Sequence, residues 1–418
     1  MVQPLQLKSR ITRYLVVISI LSAAFPSAAR QQQPNALKLV PHVIKLANGI
    51  TFSLNLPEEF RIDAAAGGLK RLRFMAKAPD GSIFVTSMYS RADNTRGAVY
   101  NMEGLDEKGG YFEMAVPYLK NLRNPNSLAF YIDPKGRKWL YLALTDKLVR
   151  YKFGDEDEAP QGEPEVLATY PDYGLNYKYG GWHLTRTIVF GQGEDRDKLY
   201  VSVGSSCNAC EEKEEIRATL SVMDADGKNP KVLGHGLRNA VGMRMVDGTL
   251  YLTNMGADHL GDNAPDDTMF ALDKKELHED RTLDFGWPYC YFDHGKILPD
   301  PQFNESPNKS DCGKVPKAFA TFAAHASPLG LEYFGSDSND PLLRNHFLVA
   351  LHGSGHKRLK RGYRVVRISD KGTIEDFITG FLHDGVIYGR PCDIFRMGPD
   401  SFLLTDDFAG VIYYIHKK

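Results

Sequence analysis

One phrase recurs six times along this chain: an apolar strand, a turn built on Asp or Gly, then a second strand ending near small or polar residues. It reads RFMAKAPDGSIFVTSM, NSLAFYIDPKGRKWLYLAL, RTIVFGQGEDRDKLYVSVG, VGMRMVDGTLYLTNM, LGLEYFGSDSNDPLLRNHFLVALHG and CDIFRMGPDSFLLTDDF. Helical periodicity is almost absent, and runs rich in Val, Ile, Tyr, Phe and Leu are bounded by Asp-Gly, Pro and Gly turns, so the chain is all-β. Most copies are followed by a returning strand, as in GAVYNM, KLVRY, YRVVRI and GVIYYI. A propeller blade takes roughly 40 to 50 residues, so 418 residues accommodate six blades with insertions. A single blade cannot bury both its faces, and the repeats therefore need each other. Sixfold recurrence favours a six-bladed β-propeller over two stacked β-sandwiches. Residues 42–56, HVIKLANGITFSLNL, have strand character and are the candidate for closing the ring on the last blade. The longest insertion, about Leu272 to Phe322, is expected to cover one end of the channel.

Apolar residues make up 43% of the chain, enough for a large core. Charges nearly balance, 51 basic against 52 acidic, which excludes a nucleic-acid footprint over a whole face and favours a small polar ligand. Lys8, Arg10 and Arg13 precede the apolar run YLVVISILSAAF, and Ser27-Ala28-Ala29 offers small residues for cleavage. Residues 1–29 thus read as a signal peptide and 30–418 as a single propeller domain, periplasmic or secreted. The apolar run is short of the roughly 20 residues of a stable membrane span, although an uncleaved anchor is the alternative.

Export makes the five cysteines candidates for disulfides. Cys207 and Cys210, in SSCNACEE, lack the following His of a c-type haem site, and no second pair exists for a zinc ribbon. A small local disulfide is therefore the better reading, with a pair of free structural thiols as the alternative. Cys290 and Cys312 flank a Pro/Asn/Lys-rich loop that a bridge would close, which leaves Cys392 as a buried free thiol.

A propeller gathers its interblade loops at one mouth of the central channel, where ligands bind. His183, in YGGWHLTRTIVF, precedes the third copy. Arg238 and Asn239 precede the fourth, Arg390 precedes the sixth, and Lys357 and Arg358 follow the second strand of the fifth. Equivalent positions in successive repeats converge on one axis. A histidine facing several cations calls for a polyanionic partner beside a proton acceptor. The loop NMGADHLGDNAPDD, with Gly256 and Ala257, offers oxygen ligands for a hard cation such as calcium, unless it is a solvated acidic loop.

The phrases LPEEFRIDAAAGGLKRLRFMAKAPDG, GHGLRNAVGM, GADHLGDNAPDD, DFGWPYCYF, LHGSGHKRLKRGYRVVRI and GRPCDIFRMGPDSFLLTDD run in order from about residue 56 to the C-terminus. Together they resemble the soluble pyrroloquinoline-quinone-dependent sugar dehydrogenases, closest to the sorbosone dehydrogenase branch. The resemblance implies a propeller that oxidises a sugar hydroxyl or hemiacetal at a quinone held over the channel mouth. By position, His183 resembles the general base. Arg238, Asn239, Lys357 and Arg390 match positions that contact the quinone, and the segment around Gly256 and Ala257 matches the loop whose backbone carbonyls hold Ca2+. Trp182 stands where glucose-oxidising relatives carry an acidic residue, Ser205 replaces an aspartate that orients the histidine, Ala240 replaces a proline, and Cys392 replaces a second arginine.

These features predict an exported oxidoreductase acting on a small sugar, sugar aldehyde or polyol, with pyrroloquinoline quinone and calcium. A separate electron acceptor such as a cytochrome or quinone completes the cycle. A calcium-dependent lactonase on a similar propeller, needing metal carboxylates in the channel but no clamp for a polyanion, is the second reading. A secreted carbohydrate- or protein-binding propeller is the third.

Overall fold

Asp247 and Gly248 both have positive φ, 49° and 80°, as the tightest hairpins require if the turn is to match the right-handed twist of its strands. They join Ala240–Val246 to Thr249–Asn254, the first two strands of one repeat. This computed structural model describes residues 37–418 apart from 155–158, 161, 173, 176–182, 356 and the side chain of Lys357. Residues 1–29, read above as a signal peptide, and Trp182 lie outside the described residues.

Six antiparallel four-stranded meanders follow one another, as the recurrence predicts. Their innermost strands are Leu72–Lys77, Ser127–Ile132, Arg186–Phe190, Ala240–Val246, Pro328–Phe334 and Pro391–Gly398. Each inner strand packs against the next and the sixth against the first, which closes the ring of a six-bladed β-propeller. Each quoted repeat supplies the first two strands of one blade.

The strand that closes the ring is Phe60–Ala66, which pairs with Val411–Lys417 at the outer edge of the sixth blade. Residues 42–56 do not take that place. Leu39–Lys45 and Thr51–Pro57 pair with each other as a separate hairpin, and Phe52 stacks on Tyr388 at 5.0 Å. The nearer segment wins because its apolar residues meet the sixth-blade core on one face: Phe60 and Ile62 are buried, with Arg61 exposed between them.

Side-chain hydroxyls latch neighbouring blades. Thr86 donates to the Asn126 carbonyl at 2.8 Å, Thr145 to Leu184 at 3.1 Å, Ser202 to Ala240 at 2.7 Å, Thr253 to Leu329 at 2.8 Å and Thr405 to Arg73 at 2.8 Å. Each contributes about 1 kcal/mol, and each fixes the start of the next inner strand. Aromatic packing fills the wedges between blades. Between the first two, Phe84 meets Phe130 at 5.2 Å, with Tyr118 of its own blade at 4.8 Å.

The insertion lies between the third and fourth strands of the fourth blade, Asp267–Leu272 and Ala320–Phe322. It holds the short helix Lys274–His278, started by a capping box on Asp273. Its residues Leu283–Asp284 add a parallel edge to the third blade, and Cys290–Cys312 closes its loop. These attachments draw it toward the outer seam of the third and fourth blades, and no insertion residue lines the central cavity described below. Cys207 is bonded to Cys210 and Cys392 is a buried free thiol, as the sequence predicts.

Candidate active site

The residue just before each inner strand is Arg71, Asn126, Thr185, Asn239, Ser327 or Arg390. Because the repeats share one geometry, these six positions ring the axis, and all but Asn126 line one cavity of about 650 Å³. The loops after the second strands complete its wall, bringing Arg91, Gly256, Asp258, His352 and Asp407. Its size suits a small-molecule site, for which roughly 300–1,000 Å³ is usual.

His183 lines this cavity on a backbone with φ of 50°, a left-handed conformation that non-glycine residues adopt at some cost. Its Nδ1 lies 2.8 Å from Ser205 Oγ, and Ser205 Oγ donates to the Cys207 carbonyl at 2.7 Å. A hydroxyl has one proton to give. Since Cys207 takes it, Ser205 accepts from His183 Nδ1–H, and Nε2 carries the lone pair. Burial, reinforced by the Arg238 charge, holds the His183 pKa well below the usual imidazole range, so the ring is neutral near pH 7. Gly204 leaves the room: a Cβ there would lie 2.5 Å from His183 Cβ and 2.7 Å from Asn239 Oδ1.

Arg238 is buried and oriented by the disulfide loop. Its Nε donates to the Asn208 carbonyl and a terminal nitrogen to Asn208 Oδ1, each at 2.8 Å. It also pairs with Asp258 at 3.1 Å. Asn208 accepts from the Asp258 amide at 2.8 Å and from the Trp287 indole at 3.1 Å. The Cys207–Cys210 bridge thus holds a residue that sets both a cation and an anion of the cavity. Burial lowers the Arg238 pKa, with Asp258 opposing.

Asn239 lines the cavity and accepts from Thr185 Oγ1 at 3.2 Å. Arg390 lines it too, its guanidinium donating to the carbonyls of His352 at 3.1 Å, of Gly353, and of Ser354 at 3.3 Å. The Lys357 backbone opens the short 3-10 turn Lys357–Leu359, and its side chain is outside the description. Arg358 turns away to Asp262. Gly256 lines the cavity and donates its amide to Asp267 at 2.7 Å. Ala257 packs beside it against Trp287 and the Cys207–Cys210 bridge.

Sequence reasoning missed the wall built by the first and sixth blades. Asp407, buried, receives Arg73 at 3.1 Å, Arg71 at 3.6 Å and His352 Nε2–H at 2.8 Å. Burial opposes its ionisation, but His352 and the two arginines hold its pKa well below the usual carboxylate range. Burial and then Arg390 push His352 down to about 3, so it is a neutral donor. Arg71 occupies the pre-strand position that singled out Arg390 and was findable by the same argument. His325 bonds Asp258 at 3.1 Å and the Gly261 carbonyl at 2.7 Å, and the Asp258 bond raises its pKa.

The family model described as TrAA12-like matches residues 56–376. The chain belongs to this TrAA12-like family. Over 398 residues the TrAA12-like chain is 29% identical to an uncharacterized protein of Borreliella burgdorferi, covering 91% of this chain and 95% of that one. It is 23% identical over 359 residues to a pyrroloquinoline quinone-dependent pyranose dehydrogenase of Coprinopsis cinerea, covering 75% of this chain and 44% of that enzyme. It therefore spans less than half of the fungal enzyme. The holo form of the quinone domain of Coprinopsis cinerea pyranose dehydrogenase superposes with a TM-score of 0.68 at 19% identity, covering 88% and 97% of the two chains. A calcium structure of a Trichoderma reesei family AA12 protein gives 0.69 at 15% identity, covering 93% and 100%. At such identities the likeness to the solved structures carries the propeller fold.

Proposed function

We propose that this chain is an exported quinone-dependent dehydrogenase that oxidises a sugar, sugar aldehyde or polyol by hydride transfer to pyrroloquinoline quinone, with calcium assistance. The observation that carries the reading is a neutral, oriented His183 in one cavity with Arg71, Arg73, Arg91, Arg238 and Arg390. The two disulfides support export, and the family relatives named for quinone-dependent sugar oxidation support the reaction class.

The donor set fits the cofactor. A quinone bearing three carboxylates needs several fixed cations, and arginines bind carboxylates with directed, charge-assisted bonds. Arg238, Arg390, Arg71 and Arg73 would hold it, with Asn239 as amide partner and Lys357 from the fifth blade. The loop at Gly256 fits calcium: among the described residues neither the Gly256 nor the Ala257 carbonyl accepts a hydrogen bond. Backbone carbonyls left without a donor are ready ligands for an oxygen-seeking cation. Held there, the quinone would supply a hydride-accepting carbonyl and calcium the Lewis acidity that activates it.

The chain's own residues do the rest. Ser205 holds His183 in the tautomer whose Nε2 takes the substrate hydroxyl proton, a role that contributes about 100- to 10,000-fold. Burial, and then the Arg238 charge, keeps the ring unprotonated and free to take that proton. The lactonase reading needs convergent metal carboxylates. Among the described residues, the side-chain groups spaced to hold a metal are Cys207, Cys210 and Glu212, and Glu194, Asp195 and His278. Neither group lines the cavity.

The test is reconstitution of metal-free protein with calcium and the quinone, followed by a dye-reduction screen over aldoses, sorbosone and polyols. Quinone binding that is equally weak with and without chelator, and no turnover of any sugar, would sink the proposal.

A further inference from the structure

The substrate class follows from one arginine. Arg73, Arg71, Arg238 and Arg390 are engaged inside the protein, by Asp407, by Asn208 with Asp258, and by the carbonyls of the 352–354 loop. Arg91 is different. It lines the cavity, it is exposed, and among the described residues it has no hydrogen-bond or ion-pair partner.

The backbone that presents it is nonetheless fixed. The Ala92 carbonyl accepts from Asn94 at 2.8 Å and from Asn124 at 3.0 Å, and the Asn94 amide donates to Asn124 Oδ1 at 2.7 Å. Asp93 is fully buried and gripped by Arg123 through two bonds, at 2.9 and 2.6 Å. On the other side, the Met88 amide is tied to the Arg71 carbonyl at 3.0 Å. Polar groups spent on both flanks hold this loop in place, while the guanidinium is left facing the cavity.

Its charge is felt by its neighbours. After burial, Arg91 is among the causes that lower the pKa of both Arg71 and Arg390, and Asp407 is the carboxylate that opposes it at both. Arg71 is paired with Asp407, which is also bonded to Arg73 and His352, so Arg91 adds charge beside a carboxylate already in use. A further anion at the mouth relieves that repulsion. The buried arginines reach a ligand seated in the cavity. The exposed one reaches the solvent-side substituents of whatever enters over it.

We propose that Arg91 anchors an anionic substituent of the substrate, so that the sugar oxidised carries a carboxylate or a phosphate. This rests on the dehydrogenase reading above. Arginine is suited to the role, because its planar fork matches carboxylate and phosphate oxygens alike.

The experiment uses the full chain loaded with calcium and the quinone, titrated calorimetrically and assayed by dye reduction with glucuronate, glucose 6-phosphate and glucose. The charged sugars are expected to bind and react roughly ten- to a hundredfold better than glucose, the range of a charge-assisted contact. Whichever of the two is preferred identifies the anion. Arg91→Gln should lower that preference ratio at least tenfold, through KM rather than kcat, and Arg91→Lys should restore part of it. Two results overturn the inference while leaving the dehydrogenase reading intact: glucose preferred by the wild type, or an Arg91→Gln loss that appears in quinone affinity instead of the preference ratio. If the quinone does not bind and no sugar reacts, both readings fall together.

Discussion

Ser205→Ala tests whether a hydroxyl does the work of a carboxylate behind the base. Ser205 is fully buried and its side chain makes two bonds, accepting from His183 Nδ1 at 2.8 Å and donating to Cys207 O at 2.7 Å. Its backbone amide bond to Arg238 O, at 2.8 Å, survives the substitution. Alanine therefore leaves the loop in place and removes the side-chain acceptor of the imidazole, leaving only the Ser205 backbone to hold the ring. Removing one partner of a buried hydrogen bond costs about 1–3 kcal/mol. Charged to the reactive tautomer, that is roughly a 5- to 150-fold loss of kcat, since 1.36 kcal/mol is a factor of ten. His183→Gln should lose more, about 100- to 10,000-fold. The assay is steady-state dye reduction at saturating quinone, with quinone affinity measured in parallel by calorimetry. Affinity should stay near wild type in both variants, because neither side chain is a cation of the clamp. A Ser205→Ala enzyme with undiminished kcat would refute the tautomer argument, and a fully active His183→Gln enzyme would require another base.

Four further outcomes follow from the geometry. Gly204→Ala places a Cβ 2.5 Å from His183 Cβ, so it should cut kcat at least tenfold with little loss of quinone affinity, read in the same two assays. His352 is neutral when folded and titrates near pH 6.5 when unfolded; the unfolded state binds the extra proton, so stability falls from pH 6.5 toward 3 by about 1.4 kcal/mol per pH unit. His352→Gln keeps an N–H for Asp407 and removes that slope, which denaturant melts at pH 7, 6 and 5 would show as a flatter acid limb. Opening Cys290–Cys312 by a double Ser substitution frees a loop of 22 residues and should lower stability by about 3 kcal/mol, measured by chemical denaturation. Asn208→Ala removes the acceptor shared by Arg238 and the Asp258 amide and should weaken quinone binding by about tenfold, measured by calorimetry.

Much of the architecture was legible because a propeller repeats itself. Each repeat carries its own strand pair and turn, local signals that need no knowledge of the rest of the chain. The same periodicity placed His183, Arg238, Asn239 and Arg390 at one mouth, and it would have placed Arg71 there too. Cysteine spacing, with residues 1–29 read as a signal peptide, was enough to predict both bridges.

What only the tertiary structure decided were choices among partners distant in sequence. Residues 42–56 had strand character, but which segment closes the ring depends on the edge offered by Val411–Lys417, at the far end of the chain, and Phe60–Ala66 takes it. Ser205 read as the loss of an orienting aspartate, until the Cys207 carbonyl showed where its proton goes. Arg73 and Asp407 are separated by 334 residues, and no local pattern marks them as a pair. Strand periodicity is written into a few consecutive residues, whereas the partner of a buried charge is fixed only when the ring closes and excludes water from both.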